Sequence, residues 1–208
     1  MGARDYYESL WQSVPAGLDP PDLGLRLGFL LDRVRAGERV LDVGCGEGLF
    51  AAELAAAGVE TVGIDVAEEP LRRARATHSG LDVRLVDGER GWPLDDASFD
   101  AVWAGETIEH VADTAGWLSE VRRVLRPGGR LLLSTPAHGR LALLWLALSG
   151  RAFDAHFDPR ADHLRFYTSR TLICLLEDFG FQAISVRAAG GPPGARRRLL
   201  TQAVRSRW

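Results

Sequence analysis

The stretch AGETIEHVAD, running from Ala104 to Asp113, brings Glu106, Glu109 and His110 together just after the apolar run Phe99 to Trp103. Two carboxylates and an imidazole this close can do three things. They can ligate a divalent cation, because carboxylate oxygen and imidazole nitrogen suit Mg, Mn, Fe or Zn. His110 can act as a general base, with Glu109 as its catalytic partner. Or the glutamates can complement the positive end of a helix while His110 satisfies a buried polar group. On a helical turn, positions i, i+3 and i+4 share a face, so the three side chains are expected to converge. The choice depends on what holds them.

The chain has 208 residues, enough for one domain with a substantial core, so residues 1–208 are expected to fold as a single unit. Strand-like runs lie at Arg39–Val43, Thr61–Asp65, Asp82–Val86, Phe99–Trp103, Arg130–Ser134, Phe181–Arg187 and Leu199–Arg205. Helix-like runs fall between them at Leu49–Ala57, Glu68–Thr77, Thr114–Leu125 and Ser169–Phe179. Gly58, the Arg126-Pro127-Gly128-Gly129 turn and Gly180 mark the ends of three of these helices. Such alternation predicts an α/β fold, a Rossmann-like doubly wound parallel sheet covered on both faces. The last two strands, joined by GGPPGARRR, predict an antiparallel edge hairpin. Two segments break the alternation. Residues 1–36 read as a helical N-terminal cap interrupted by Pro15, Pro20 and Pro21. Residues 137–167 read as an insertion long enough to form a lid over a site.

The segment VLDVGCGEGLF, Val40 to Phe50, is a strand that enters a turn with Gly44, Gly46 and Gly48 and then a helix. Glycines there permit positive φ and close approach of a ligand to the backbone, and the helix beyond offers unpaired N–H groups. A dinucleotide fingerprint needs G-x-G-x-x-G. Here the position of the third glycine of that pattern is Leu49, which argues against NAD.

This pattern resembles the class I S-adenosylmethionine (SAM) dependent methyltransferases. Asp42 and the three glycines match that family's first strand and loop. Asp65 in VGIDVAEE matches the acidic residue that ends its second strand and pairs with the ribose hydroxyls. Asp87 in RLVDGERGWPL, with Gly88 beside it, matches the residue near the adenine. PLDDASFD and LRPGGRLLLSTP match the approaches to its fourth and fifth strands. The resemblance implies SAM as cofactor and a seven-stranded sheet of order 3-2-1-4-5-7-6, with only the seventh strand antiparallel. It implies a cofactor site built from Asp42, Gly44, Gly46, Gly48, Asp65, Val66, Asp87, Gly88 and Ala104. Ligands of open α/β sheets lie at the carboxyl ends of the strands on independent grounds.

E-x-x-E-H resembles the metal-binding segment of two methyltransferase families, the small-RNA 3′-end 2′-O-methyltransferases and the ubiquinone-pathway O-methyltransferases. The resemblance implies a metal set of Glu106, Glu109, His110 and His163, the last from RADHLRFYTSRTL, with His138 and His156 as further options. A metal would lower the pKa of an acceptor hydroxyl. Without one, positioning and a histidine base suffice for methyl transfer, with His110 and Glu109 as the catalytic candidates. Either way the expected reaction is transfer of a methyl group to a small-molecule acceptor, most readily at oxygen. An RNA ribose methyltransferase and a non-catalytic SAM-binding regulator are the alternatives.

Charge and composition narrow the partners. Net charge is −3, with no sign of a nucleic-acid binder. Cys45 and Cys174 are the sole cysteines and sit far apart, which fits a reducing, cytoplasmic setting. The N-terminus has no apolar core of a signal peptide, and the longest apolar run, Leu141 to Leu148, is too short to span a bilayer. That run predicts a short helix that packs on the sheet as a lid, or else an apolar wall for a lipid-like or aromatic acceptor with peripheral membrane contact. Tyr6, Tyr7 and Trp11 are placed to close the pocket from the other side. Arg196, Arg197 and Arg198 read as a solvated loop or a contact for an acidic group.

Overall fold

A computed structural model of the chain describes residues 3–88, 91–158, 160–192 and 195–207. The predicted hairpin loop and the predicted insertion are therefore described except at positions 193–194 and 159. The N-terminal cap forms helices α1 (Ala3–Ser13) and α2 (Leu23–Leu31), separated by the proline-bearing segment. Then come β1 (Arg39–Val43), α3 (Leu49–Ala56), β2 (Glu60–Asp65), α4 (Glu68–Thr77), β3 (Asp82–Leu85) and β4 (Phe99–Gly105). A 3₁₀ turn, Ile108–His110, leads into α5 (Thr114–Val124) and β5 (Leu125–Pro136). The insertion carries α6 (Arg140–Ala147) and α7 (Gly150–His156), followed by α8 (Ser169–Asp178), β6 (Phe181–Ala189) and β7 (Arg198–Arg205).

Among the described residues the strands form one seven-stranded sheet of order 3-2-1-4-5-7-6. β7 runs antiparallel to both β5 and β6, and the β1–β2, β1–β4, β2–β3 and β4–β5 pairs are parallel. Parallel strands are covered on both faces, which is why β1 and β4 read as near-continuous apolar runs. Successive side chains then serve opposite faces. Leu41, Val102, Ala104, Leu131 and Leu133 pack toward α5 and α8. Val40, Ala101, Trp103 and Leu132 pack with Phe29 and Leu30 of α2 and Leu54 of α3.

Two local expectations change. The Arg126-Pro127-Gly128-Gly129 turn does not stand before the fifth strand; it lies within it. Leu125 pairs with Phe99 and the ladder resumes at Ala101 and Arg130. Proline has no N–H to give, and Gly128 takes a φ of 82°, so the four residues bulge while the chain on either side stays paired. The apolar helix begins at Arg140, and it does not pack on the sheet: none of its residues is buried, and Trp145 and Leu148 are each 71% exposed. The run is apolar all round, so it specified burial without specifying what would cover it. No described helix is long and apolar enough to cross a membrane.

Candidate active site

The glycine loop is fixed from β2. The N–H groups of Gly44 and Cys45 both donate to the Ile64 carbonyl, at 2.8 and 3.0 Å. Gly46 N–H donates to Asp65 Oδ2 at 2.9 Å, and Ala67 N–H donates to Asp65 Oδ1 at 3.0 Å. Asp65 thus ties the loop to the start of α4. A carboxylate has about four acceptor sites, so each oxygen keeps one for a further donor. The three glycines differ in what they serve. A Cβ on Gly44 would come within 2.7 Å of Thr107 Oγ1, and one on Gly46 within 3.1 Å of the Trp11 ring. A Cβ on Gly48 would meet Ala74 and Leu81 at 3.2 Å, so Gly48 is required for packing of the α3 start against α4. Gly88 lies against Val66 in the same sense, at 3.2 Å, and Asp87 beside it is exposed. Ala104 is wholly buried with its side chain in the core, which leaves only its backbone facing the strand edge.

Asp42 is buried, and its Oδ2 has no hydrogen-bond partner among the described residues. Burial, reinforced by the Asp65 carboxylate, pushes its pKa up to about 7. Asp65 is also raised, by burial, against the pull of the backbone N–H groups it accepts. Two buried carboxyls that raise one another's cost of ionisation, with the Arg26 guanidinium only partly offsetting it at Asp42, suit a positively charged ligand end.

On the acceptor side, Glu109, His110 and His163 converge, each offering one ligand atom, with all three atoms within 4.8 Å of one another. The 3₁₀ turn places Glu109 and His110. The irregular segment between α7 and α8 brings His163, because Leu164 and Arg165 both donate their N–H groups to the Glu109 carbonyl, at 2.8 and 3.0 Å. The His110 and His163 rings meet edge to face with centroids 4.8 Å apart. His110 Nδ1 lies 3.0 Å from the Asp162 carbonyl oxygen, and that contact fixes the ring. Glu109 is wholly buried. Its Oε2 accepts from Thr135 Oγ1 at 3.0 Å, and its Oε1 has no partner among the described residues. Burial first, then the Glu106 charge, pushes its pKa up to about 8. His163 is lowered by burial and by its neighbour His110.

Glu106 does not join this group. It takes a left-handed φ of 55°, outside the helical turn, so the i, i+3, i+4 geometry expected for it is not formed. Its carboxylate instead accepts from Ser134 Oγ at 2.9 Å and pairs with Arg198 Nε at 3.0 Å. Buried Arg26 donates through Nε to Ser134 Oγ at 3.0 Å and completes that network. Thr107, Thr135 and Asp162 went unnoticed in the sequence. For the two threonines the signal lay in strand pairing: Gly105 sits opposite Ser134, so the residues just beyond β4, Glu106 to Glu109, must meet the last residues of β5, Thr135 among them. Tyr7 from α1 reaches across, with its hydroxyl donating to the His110 carbonyl at 3.4 Å.

The family model described as a methyltransferase domain matches residues 19–186. The chain is 39% identical over 141 residues to the 27-O-demethylrifamycin SV methyltransferase of Amycolatopsis mediterranei (strain S699), covering 64% of this chain and 52% of that protein. It is 38% identical over 144 residues to the ubiquinone biosynthesis O-methyltransferase of Xylella fastidiosa (strain 9a5c), covering 67% of this chain and 58% of that one. It therefore spans little more than half the length of these relatives. Among solved structures, phosphoethanolamine N-methyltransferase 2 of Haemonchus contortus in complex with S-adenosyl-L-methionine superposes with a TM-score of 0.72 at 17% identity, over 99% of this chain and 60% of that one. A SAM-dependent methyltransferase of Mesorhizobium loti gives 0.69 at 23% identity, over 88% and 97%. These two likenesses are of fold. The domain match over most of the chain carries the assignment further: the chain belongs to the methyltransferase-domain family.

Proposed function

We propose that the protein transfers the methyl group of SAM to a hydroxyl oxygen of a small molecule. The observation that supports this best is the Glu109, His110 and His163 cluster at the carboxyl edge of β4, next to the glycine loop. SAM supplies an electrophilic methyl group on a sulfonium. The chain's own part is to hold it and to prepare the oxygen. Asp42 and the loop at Gly44 and Gly46 would hold the amino-acid end, where the orphaned Oδ2 of Asp42 fits an ammonium. Asp65 would hold the ribose hydroxyls with its two spare acceptor sites. Val66, Asp87 and Gly88 would flank the adenine, with Gly48 and Ala104 shaping the pocket. His163, held neutral by burial, would take the hydroxyl proton as general base, and the fixed ring of His110 would orient it. Of the curated relatives named above, one is named for methylating a 27-O-demethyl compound and the other as an O-methyltransferase, which supports oxygen as the acceptor atom.

The same three side chains fit a divalent cation. One carboxylate and two imidazoles make a sound donor set for Mg, Mn, Fe or Zn, and Glu109 Oε1, buried with no partner among the described residues, belongs to a carboxyl that a cation would help to ionise. When bound, such an ion would lower the pKa of the acceptor hydroxyl. Glu106 is outside this proposal because Arg198 and Ser134 already engage it.

Formation of S-adenosylhomocysteine with catechol acceptors, with and without chelator, tests both parts. Activity that survives chelation, with no ion by elemental analysis, removes the metal and leaves the histidine base. No turnover on any hydroxyl acceptor, with tight cofactor binding, would favour a non-catalytic SAM-binding role.

A further inference from the structure

The end of β5, α6, His156 of α7 and the approach to β7 line an open cavity of about 290 Å³. One wall is apolar, formed by Leu143 and Leu146 on the inner stripe of α6. The opposite wall carries Arg196, Arg197 and Arg198. None of the residues lining it is acidic. The charges that face the arginines are few. Asp22 Oδ1 accepts from Arg197 at 2.8 Å, and its Oδ2 lies 3.6 Å from Arg198. Glu106 takes the closer contact with Arg198. Arg26 adds a buried guanidinium beside the same Glu106. The three cavity arginines thus meet two carboxylates among the described residues, Asp22 and Glu106, and the Arg196 group is met by a neutral partner, the Gly191 carbonyl at 2.7 Å. Two further polar groups line the cavity. His138 is held through Nδ1 near the Tyr167 carbonyl at 3.2 Å, and His156 Nε2 is buried with no partner among the described residues.

The cavity adjoins the acceptor edge: Pro136, which lines it, follows Thr135, whose hydroxyl donates to Glu109 at 3.0 Å. Arg198 stands opposite Pro136 in the β5–β7 ladder and contacts Glu106, which is three residues before Glu109. A molecule with its hydroxyl at Glu109, His110 and His163 would extend into it.

We propose that this cavity is the second half of the acceptor site and takes an anionic group, carboxylate or phosphate, borne on an apolar body. The acceptor is then an acidic amphiphile: its hydroxyl is methylated, its anion meets Arg196 and Arg197, and its carbon skeleton lies along Leu143 and Leu146. This rests on the methyl-transfer reading for the hydroxyl end, while the anion subsite can be probed without turnover. Guanidinium–phosphate and guanidinium–carboxylate pairs are bidentate and charge-assisted, so they discriminate strongly against a neutral head.

Calorimetry on the full chain loaded with S-adenosylhomocysteine tests it, with octyl phosphate, octanoate, octyl glucoside and inorganic phosphate as probes, all below micelle concentration. Octyl phosphate is expected to bind about tenfold or more tighter than octyl glucoside and than inorganic phosphate. The Arg196→Gln/Arg197→Gln variant is expected to weaken it by about tenfold and to keep wild-type affinity for S-adenosylhomocysteine. Leu143→Asp is expected to weaken octyl phosphate and spare inorganic phosphate. Equal binding of the glucoside overturns the anionic half, and equal binding of inorganic phosphate overturns the apolar half. An unchanged arginine variant removes the site from this cavity. The relative strength of octanoate and octyl phosphate tells which oxyanion fits. Failure of S-adenosylhomocysteine to bind would instead count against the cofactor reading, and the probe comparison on unloaded protein still decides the subsite.

Discussion

Asp42 and Asp65, the residues proposed to hold the cofactor, are both carboxyls that burial makes harder to ionise. Asp42 is buried and has its pKa raised to about 7, so the folded chain binds that proton more tightly than the unfolded one does. For a raised carboxyl the stabilising contribution is complete below the ordinary value, about 3.9, and is lost as pH rises through about 7. Melting temperature of the cofactor-free protein is therefore expected to fall from about pH 5 to pH 8, and Asp42→Asn to flatten part of that fall. Glu109, also raised, would contribute the same sign, so the variant should reduce the slope without abolishing it. An identical slope in the variant would remove Asp42 as a source. Asp65 carries a different load, because it accepts from Gly46 and Ala67. Asp65→Ala is expected to weaken S-adenosylhomocysteine by roughly 1.5–3 kcal/mol, the scale of hydrogen bonds to a charged group. Wild-type affinity in calorimetry would withdraw the ribose assignment.

At the scale of elements, α1 is tied down far more firmly than the insertion. Glu8 accepts from the N–H groups of Glu68 and Glu69, at 2.7 and 3.2 Å, and so caps α4 from another helix. Arg73 donates to the Trp11 and Val14 carbonyls, at 2.8 and 2.9 Å, and pairs with Glu47 of the glycine loop at 2.9 Å. Arg73→Ala is expected to raise amide exchange in residues 4–13 roughly fivefold, about 1 kcal/mol of local opening, while β1 and β4 stay as protected as before. Unchanged exchange in α1 would show that Glu8, Tyr7 and Trp11 hold it without Arg73. The strands, the glycine loop and the order of helices were legible in the sequence, because periodicity and glycine placement are local signals. The convergence of His163 with Glu109 and His110 was legible only through resemblance, since it is made by Leu164 and Arg165 donating to a carbonyl far off in the chain. Glu106 misled for the same reason. Its left-handed φ is stabilised by Ser134 and Arg198, residues that lie next to it only once β5 and β7 are paired.

Across the whole molecule, apolar residues are spent in two unlike ways. Leu132 sits in the central strand β5, wholly buried, within the layer formed by Trp103, Leu30 and Leu200. Removing its side chain leaves a void that close-packed neighbours fill only in part, so Leu132→Ala is expected to cost about 2–5 kcal/mol in urea unfolding. The outer stripe of α6, Leu141, Leu144, Trp145 and Leu148, is as apolar by type yet every member is exposed. A side chain already in water has no transfer free energy to lose on substitution. Leu144→Gln/Trp145→Gln is therefore expected to change folding stability by no more than about 0.5 kcal/mol, and to lower self-association, because a contiguous apolar stripe on a surface promotes contact. A loss on the scale of Leu132→Ala would mean that α6 is packed on the sheet in solution, as its sequence alone suggests. It would also close the cavity between α6 and the start of β7, so the same two unfolding curves bear on whether that space is open to an acceptor.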